Sequence, residues 1–484
     1  MLKRIEVKNR MNQKTETKRD LISFFNAQAE SRDRWIGRNR YYNKLLNDYL
    51  RFLVQPDSHI LEIGCGTGQL LNALQPKKGV GIDFSEEMIK IASSKYRKLD
   101  FEVADAHDFT IRNKFDCLIL SNAVGYFEDV QQVFRNLRKN CKKRTRIIIT
   151  YYNFLWDPLL KLAEKLGLKM KEPFTNWLSR KDLEGLLDLE GFDVVKRGEL
   201  ILFPKFIPLI STIFNRYLAR FPLIRKLCIE YYLVARACNV EEKKEYTCTV
   251  VIPARNEAGN IEEAIRRIPK LGSHTEIIFV EGHSTDQTLE EIKRVAQKYG
   301  AEWDIKYFVQ PGEGKADAVR KGFEEAKSDM LMILDADLTV PPNDLVKFYD
   351  ALASDKGEFI NSSRLVYPLK KESMRTLNLI GNKFFSLLFS WILDQRFKDT
   401  LCGTKVLLKE DYVKIRENRK YFGDFDPFGD FDLIFGASKL NLKIVEIPIR
   451  YQERKYGRTN ISRFRHGWLL LKMCLFAMRK IKFV

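Results

Sequence analysis

The chain has 484 residues, 45% of them apolar and 30% charged, which is long enough for two domains with separate cores and too apolar for wholesale disorder. A formal net charge of +19 points to anionic partners: phosphorylated substrates, nucleic acid or an acidic membrane surface. Eight cysteines without a CxxC pair, several inside apolar strand-like runs, argue against a disulfide framework or a zinc site. The opening MLKRIEVKNRMNQKTETKRD has no apolar signal region. The most apolar tracts, 201–214, 377–393 and 468–478, are broken by charge or fall short of the roughly 20 apolar residues of a membrane span. A cytoplasmic chain, peripheral on the inner face of the membrane, is the expectation.

Residues 1–40 are charged and aromatic by turns, and helix is expected there. Two stretches then alternate apolar strands with amphipathic helices on either side of the charged CNVEEKKEYT at 238–247, which predicts one α/β domain over 1–240 and another over 241–484. In the first, SHILEIGCGTGQLLNAL runs an apolar strand into Gly64, Gly66 and Gly68 and then a helix. This is the first strand-to-helix turn of a doubly wound sheet, where glycine lets backbone approach a bound nucleoside. GVGIDFSEEMIKIA ends a second strand at Asp83, placed to hold ribose hydroxyls, and LDFEVADAHDF and FDCLILSNAVGYF supply a third and a fourth strand. A dinucleotide fingerprint needs glycine at 69, where Gln69 stands, and Glu62 beside the turn suits a cationic cofactor better than a diphosphate.

These four motifs, in this order, resemble those of class I S-adenosylmethionine-dependent methyltransferases. The resemblance implies a Rossmann-like fold in which Glu62, Gly64, Gly66 and Gly68 border the methionine part of S-adenosylmethionine, Asp83 its ribose, and Asp105 with Ala106 its adenine. Many such enzymes carry histidine where Tyr126 stands, so no base for methyl transfer is assigned. The aromatic stretch YYNFLWDP (151–158) and Trp177 are candidates either for an acceptor pocket or for core.

The second domain begins YTCTVVIPARNEAGNIEEAIRRI, a β-branched strand ending at Pro253, then a polar turn and an amphipathic helix. TEIIFVEGHSTDQTLEEI repeats the pattern, with Glu281 at the strand tip and Asp286 near a helix start. GEGKADAVRKGFEEAKSD lacks the GxxxxGK[ST] spacing of a phosphate loop, which leaves Lys315 to neutralise substrate charge. In LMILDADLTVPP, strand alternation turns Asp335 and Asp337 to one side, and two carboxylates converging on a crevice call for a cation. A parallel sheet gathers Pro253, Glu281, Asp335 and Asp337 at its carboxyl edge, where Mg2+ or Mn2+ bridging a nucleotide diphosphate is expected.

These segments resemble family 2 glycosyltransferases of the GT-A fold over nearly all of 247–484, in particular polyprenyl-phosphate sugar transferases such as dolichol-phosphate mannose synthase. The resemblance implies that Pro253, Arg255, Asn256, Glu257 and Glu281 frame the base and ribose of a UDP- or GDP-linked sugar, and that Asp335 and Asp337 hold ribose and metal. It also places FKDTLCGTKVLLKEDY on the acceptor side and brings Asp430 and Asp432 of FGDFDLIF to the sugar, with inversion at the anomeric carbon. Two departures stand out. The usual paired aspartates after the second strand are Glu281 and Gly282, and the closing R-x-x-G-x-S-K reads RKYGRTN, whose Arg454 and Arg458 are candidates to grip an acceptor phosphate. The catalytic candidates are Lys315, to meet leaving-group charge, and Asp430, then Asp432, as base for a hydroxyl acceptor; an ionised lipid phosphate needs none.

The whole-chain expectation is a bifunctional enzyme of lipid-linked or cell-surface glycan synthesis. It takes a polyprenyl-phosphate or glycan acceptor at an anionic membrane surface, with no nucleic-acid partner because no RNA-binding module is recognisable. The alternatives are a polysaccharide or antigen transferase with a hydroxyl acceptor, and a glycosyltransferase regulated by a first domain that senses S-adenosylmethionine.

Overall fold

The computed structural model describes residues 2–173, 178–238, 244–364, 376–400, 402–419, 431–452, 454, 456 and 463–484, with backbone alone for 2–17, 376–380 and 463–466. The chain divides into two compact units, Met1–Cys238 with Phe483–Val484, and Asn239–Lys482.

In the first unit β1 (His59–Ile63), β2 (Lys78–Asp83), β3 (Asp100–Val103), β4 (Phe115–Ser121), β5 (Cys141–Tyr152), β6 (Phe192–Leu200) and β7 (Glu230–Ala237) form a seven-stranded sheet in the order β3-β2-β1-β4-β5-β7-β6. β1 to β5 pair in parallel, and β7 runs antiparallel to both of its neighbours. The strands read as continuous apolar runs because both faces are covered. Ile60, Cys117, Ile119 and Ile148 enter one core, and Leu61, Ile63, Leu118, Leu120, Ile147 and Ile149 enter the other. Helix α2 (Arg40–Leu53) seals the first of these with Leu46, Tyr49, Leu50 and Leu53, residues spaced three and four apart on one helical face. Helix α1 (Leu2–Arg38) brings Phe25 and Ala29, also four apart, against Met88. Helix is thus formed where the sequence predicts it.

In the second unit β8 (Thr247–Ala254), β9 (His274–Glu281), β10 (Asp304–Val309), β11 (Met330–Ile333), β12 (Phe359–Ser363), β13 (Lys405–Leu408) and β14 (Ile444–Pro448) order as β10-β9-β8-β11-β13-β12-β14. Cys248, Val250, Ile252, Met330 and Met332 belong to one core, and alternation turns the equally buried Val251, Leu331 and Ile333 to the opposite face. β8 to β11 are parallel as the strand–helix alternation predicts. The sheet is not parallel throughout: β13 is antiparallel to β11 and β12. Its preceding segment passes the carboxyl edge of the sheet, so the strand starts there and runs back.

All eight cysteines are free thiols, seven of them buried. Among the described residues no helix is long and apolar enough to cross a membrane.

Candidate functional site

The first unit places a cavity of about 170 Å³ at the carboxyl edge of its sheet, lined among others by Glu62, Gly64, Gly66, Asp83 and Ala106. Gly64, Gly66 and Gly68 have φ of 74°, 52° and 76°, the left-handed region that glycine enters without strain. A Cβ on Gly64 would meet the Ala123 Cβ at 2.8 Å, and one on Gly68 would meet the Phe101 ring at 2.6 Å. Gly68 and Asp105 do not line the cavity: the first makes room for Phe101, and the second is committed elsewhere. Asp105 accepts from the His107 backbone N at 2.9 Å, meets the His107 ring, and pairs with Lys18. Burial opposes its ionisation, but these bonds hold the carboxyl well below the usual range.

Asp83 ends β2 with Oδ2 accepting from Gly66 N and Oδ1 from Ser85 N, both at 2.9 Å, so it ties the glycine turn to the second strand. Burial nonetheless raises its pKa. Glu62 is buried, its Oε2 has no partner among the described residues, and burial lifts its pKa to about 8, with the neighbouring Asp83 charge adding to the rise and a Leu71 backbone bond and Arg32 opposing it. An orphaned carboxylate oxygen beside a glycine cradle fits a ligand that brings its own cation. Sequence reasoning missed the cover of this cavity: Phe25, Arg32 and Ile36 of α1 with Tyr42, Asn43 and Leu46 of α2. The aromatic spacing of residues 24–46 is the signal that was available. Tyr126 and Tyr152 line the cavity, whereas Trp177 lies outside the described residues.

In the second unit the strands' carboxyl ends gather charge. Pro253 is the second-last residue of β8, and Gly282 N donates to Ala254 O at 2.9 Å, holding the two adjacent strand ends together. Asn256, at φ 57°, donates its backbone N to Ser284 Oγ at 3.0 Å and accepts from Thr285 N at 2.7 Å. Glu281 is buried, with Oε1 accepting from Ser284 N at 2.6 Å, and Arg255 is exposed. Asp335 and Asp337 lie beyond β11, which ends at Ile333, so strand alternation does not aim them. A turn does: Leu338 N donates to Asp335 O at 3.2 Å and Leu338 sits at φ 53°.

The two aspartates also face different cations. Lys315, from helix Gly314–Glu325, meets Asp335 Oδ1 at 2.6 Å. Burial raises the Asp335 pKa, but Lys315, and behind it Lys405 and Arg364, overcome this and lower it. Asp337 Oδ1 accepts from Thr339 N at 3.1 Å and Thr339 Oγ1 at 2.8 Å, while its Oδ2 accepts from Arg454 Nη2 at 2.7 Å. Arg454 Nη1 reaches Glu257 Oε1 at 2.9 Å, so one guanidinium joins the β8 turn to the Asp337 turn. Burial pushes Glu257 up to about 7 against the pull of Arg454.

Asp432, 7% exposed, is not brought to this cluster but pairs through Oδ2 with Arg320 at 3.1 Å and Arg419 at 3.2 Å. Asp430 and Arg458 lie outside the described residues. Gly403 was also missed. A Cβ there would sit 2.0 Å from Asp335 Oδ2 and 2.4 Å from Lys315 Nζ, so the backbone before β13 forms one wall of the ion pair. Lys405, fully buried, donates to Cys402 O at 2.7 Å and steadies that wall. Asp399 does the same by clasping Arg364 at 2.7 and 2.8 Å. Two hard carboxylates at a strand end suit Mg2+ or Mn2+. Among the described residues no three His, Cys, Asp or Glu side chains gather as a ready cage, so further oxygen ligands would come from substrate or water.

A family model for methyltransferase domains matches residues 55–191, and the model for glycosyl transferase family 2 matches residues 249–408. Glycosyltransferase AglJ of Haloferax volcanii is 26% identical over 223 residues, 46% of this chain and 68% of that protein. A dolichol-phosphate mannosyltransferase of Pyrococcus furiosus is 34% identical over 237 residues, again 46% of this chain but 63% of that protein, so the match spans less than two thirds of this relative's length. A solved S-adenosylmethionine-dependent methyltransferase from Thermotoga maritima aligns over 44% of this chain and 97% of its own, with 19% identity and a TM-score of 0.36. The chain joins a methyltransferase domain to a family 2 glycosyltransferase domain.

Proposed function

We propose that the chain is a bifunctional transferase of lipid-linked or cell-surface glycan synthesis, with the methyltransferase domain taken over 1–240 and the glycosyltransferase domain over 241–484. The second domain moves a sugar from a UDP- or GDP-linked donor to a polyprenyl phosphate or glycan, and the first moves a methyl group from S-adenosylmethionine to an acceptor in the same chemistry. The observation that carries the reading is the gathering of Glu257, Lys315, Asp335, Asp337 and Arg454 at one sheet edge, two cations among three carboxylates. Relatives named for transfer to dolichol phosphate and to undecaprenyl phosphate support the acceptor class.

In the glycosyltransferase domain the β8 turn, with Pro253, Arg255, Asn256 and Glu257, and the tip of β9 at Glu281 frame the nucleoside. Asp335 and Asp337 would hold Mg2+ or Mn2+, which supplies positive charge to the departing diphosphate. Arg454, which bonds Asp337 and Glu257 here, would be placed to grip a phosphate, since a planar guanidinium can exchange one oxyanion for another. Lys315 shares its charge between Asp335 and the leaving group, so charge developing in the transition state is met without reorganising water. A lipid phosphate attacks without a base. For a hydroxyl acceptor Asp430 is the base candidate, because two guanidinium donors already occupy Oδ2 of Asp432. In the methyltransferase domain Glu62, Gly64 and Gly66 receive the charged methionine end, Asp83 the ribose, and Ala106 the adenine. S-adenosylmethionine supplies an activated methyl group.

The exposed Phe384 and Leu387 on helix Thr376–Leu393, and Trp468 and Leu475 on helix Arg463–Ala477, with Lys383 and Lys472 beside them, support docking on an anionic membrane surface. The deciding experiment is mass spectrometry of lipids and glycans from cells with and without the chain. Paired loss of a hexose and a methyl group supports the reading, and loss of methyl from RNA alone sinks it.

A further inference from the structure

β7 enters the first sheet from its carboxyl edge and so delivers its first residue, Glu230, directly opposite Tyr152 at the end of β5. Glu230 is fully buried. Its Oε1 accepts from the Tyr42 hydroxyl and from Asn122 Nδ2 at 2.9 Å, and its Oε2 has no partner among the described residues. Asn122, held at φ 53° after β4, also donates to the Tyr42 oxygen at 3.3 Å. A buried carboxylate oxygen left without a bond costs folding free energy and calls for a reason, and Gly64, Asp83 and Glu62 already account for the cofactor end of the cavity.

A second cavity, of about 300 Å³, adjoins this group and shares Asn122, Tyr126, Tyr152 and Glu172 with the cofactor cavity. Its lining includes Lys161 paired with Asp157, and Lys169 paired with Glu164 and Glu172, so it combines phenol rings with charged donors and acceptors, a lining suited to a polyhydroxylated group. Tyr42 lines the cofactor cavity, and its hydroxyl joins Glu230 to Asn122, a residue that lines both cavities.

We propose that this second cavity is the methyl-acceptor site, that the acceptor presents a hydroxyl, and that its proton passes through Tyr42 to Glu230. The acceptor oxygen forms the new C–O bond as the methyl–sulfur bond breaks. Its proton goes to the Tyr42 oxygen while the Tyr42 proton goes to Glu230, leaving S-adenosylhomocysteine, a methyl ether and a neutral Glu230. Burial raises the Glu230 carboxyl to about 7 against the pull of Tyr42 and Asn122, with Glu172 adding to the rise, close to the value at which a base both stays ionised and takes a proton. The proposal rests on the methyltransferase reading given above.

The test uses the full chain, tritiated S-adenosylmethionine and a lipid and glycan extract from cells lacking the chain. Glu230→Gln and Tyr42→Phe should each lower label transfer by roughly 100-fold, the ordinary weight of a general base. Calorimetry should find the S-adenosylhomocysteine affinity of Glu230→Gln within about threefold of wild type, because Glu230 does not line the cofactor cavity. Transfer by wild type should rise with pH through about 7, where Glu230 loses its proton, and Glu230→Asp should restore part of the rate. The product should resist alkali, as an ether does. Full activity in both variants, label released as methanol in alkali, or no label transfer by a wild-type protein that binds cofactor would each overturn the proposal. Failure of wild type to bind cofactor would instead remove the methyltransferase reading beneath it.

Discussion

The two units share a strand order and differ in how they keep their carboxylates. Each begins its sheet with the order third, second, first, fourth, and each inserts an antiparallel strand that starts at the carboxyl edge, β7 with Glu230 and β13 behind Gly403. In the first unit Glu62 and Glu230 each keep a buried oxygen without a partner among the described residues, and burial raises both. In the second, Asp335 and Asp337 each face a cation at 2.6 and 2.7 Å. The same edge of the same sheet order is thus set for opposite ligands. A site where burial outweighs the pull of Arg32 on Glu62 and Asp83 still gains from a cationic ligand such as S-adenosylmethionine, and one that pairs its carboxylates can hand its cations to a diphosphate.

The largest effect that tests this contrast comes from Asp337→Asn. It removes one charge from the cluster while keeping shape, so sugar transfer should fall by roughly 100-fold or more and stop in chelator, as when charge stabilisation of a leaving group is lost. Methyl transfer should be unaffected. Chelator-insensitive sugar transfer by the variant breaks the contrast, because the second site would then not depend on a cation at Asp337.

Gly403→Ala should come next. The added carbon would overlap Asp335 Oδ2 at 2.0 Å and Lys315 Nζ at 2.4 Å, so the ion pair must open. Overpacking of this kind costs about 1–3 kcal/mol. A corresponding loss of sugar transfer, with a melting temperature lowered by only a few degrees, is expected from parallel assays and a thermal scan. Asp83→Ala acts on the other unit. Losing a charged acceptor for ribose hydroxyls should weaken S-adenosylmethionine binding by about 1.5–3 kcal/mol in calorimetry, with sugar transfer unchanged.

What the sequence made legible follows from range. The glycine turn and Asp83 lie within 20 or so residues of one another and carry their own conformational signature, so local reasoning reached them. The LDAD carboxylates were singled out as well, but by a strand argument where a turn aims them, since β11 stops at Ile333. Glu230 and Tyr42 meet across a separation of 188 residues, and Arg454 reaches Glu257 across 197. No periodicity encodes such a pair. Gly403 was passed over because an isolated glycine in DTLCGTK has no pattern until the aspartate it accommodates is placed beside it.

The smallest effect is the most discriminating, because it has opposite signs in the two units. Glu62 is held protonated up to about 8, and a sulfonium or ammonium group prefers its carboxylate, so cofactor binding expels a proton. Affinity for S-adenosylmethionine should therefore fall on acidification from pH 8 to 6.5, by at most about tenfold per pH unit, and Glu62→Gln should flatten the slope. Glu257, raised to about 7, gains a proton over the same range and so withdraws a negative charge from the neighbourhood of Arg454. A nucleotide sugar, whose diphosphate is esterified at both ends and keeps its charge, should bind the second unit slightly more tightly as pH falls. Calorimetric titrations of both ligands in one buffer series check this directly. Slopes of the same sign would mean that the two edges are not electrostatic opposites, and that the unpaired carboxylates of the first unit serve something other than a cation.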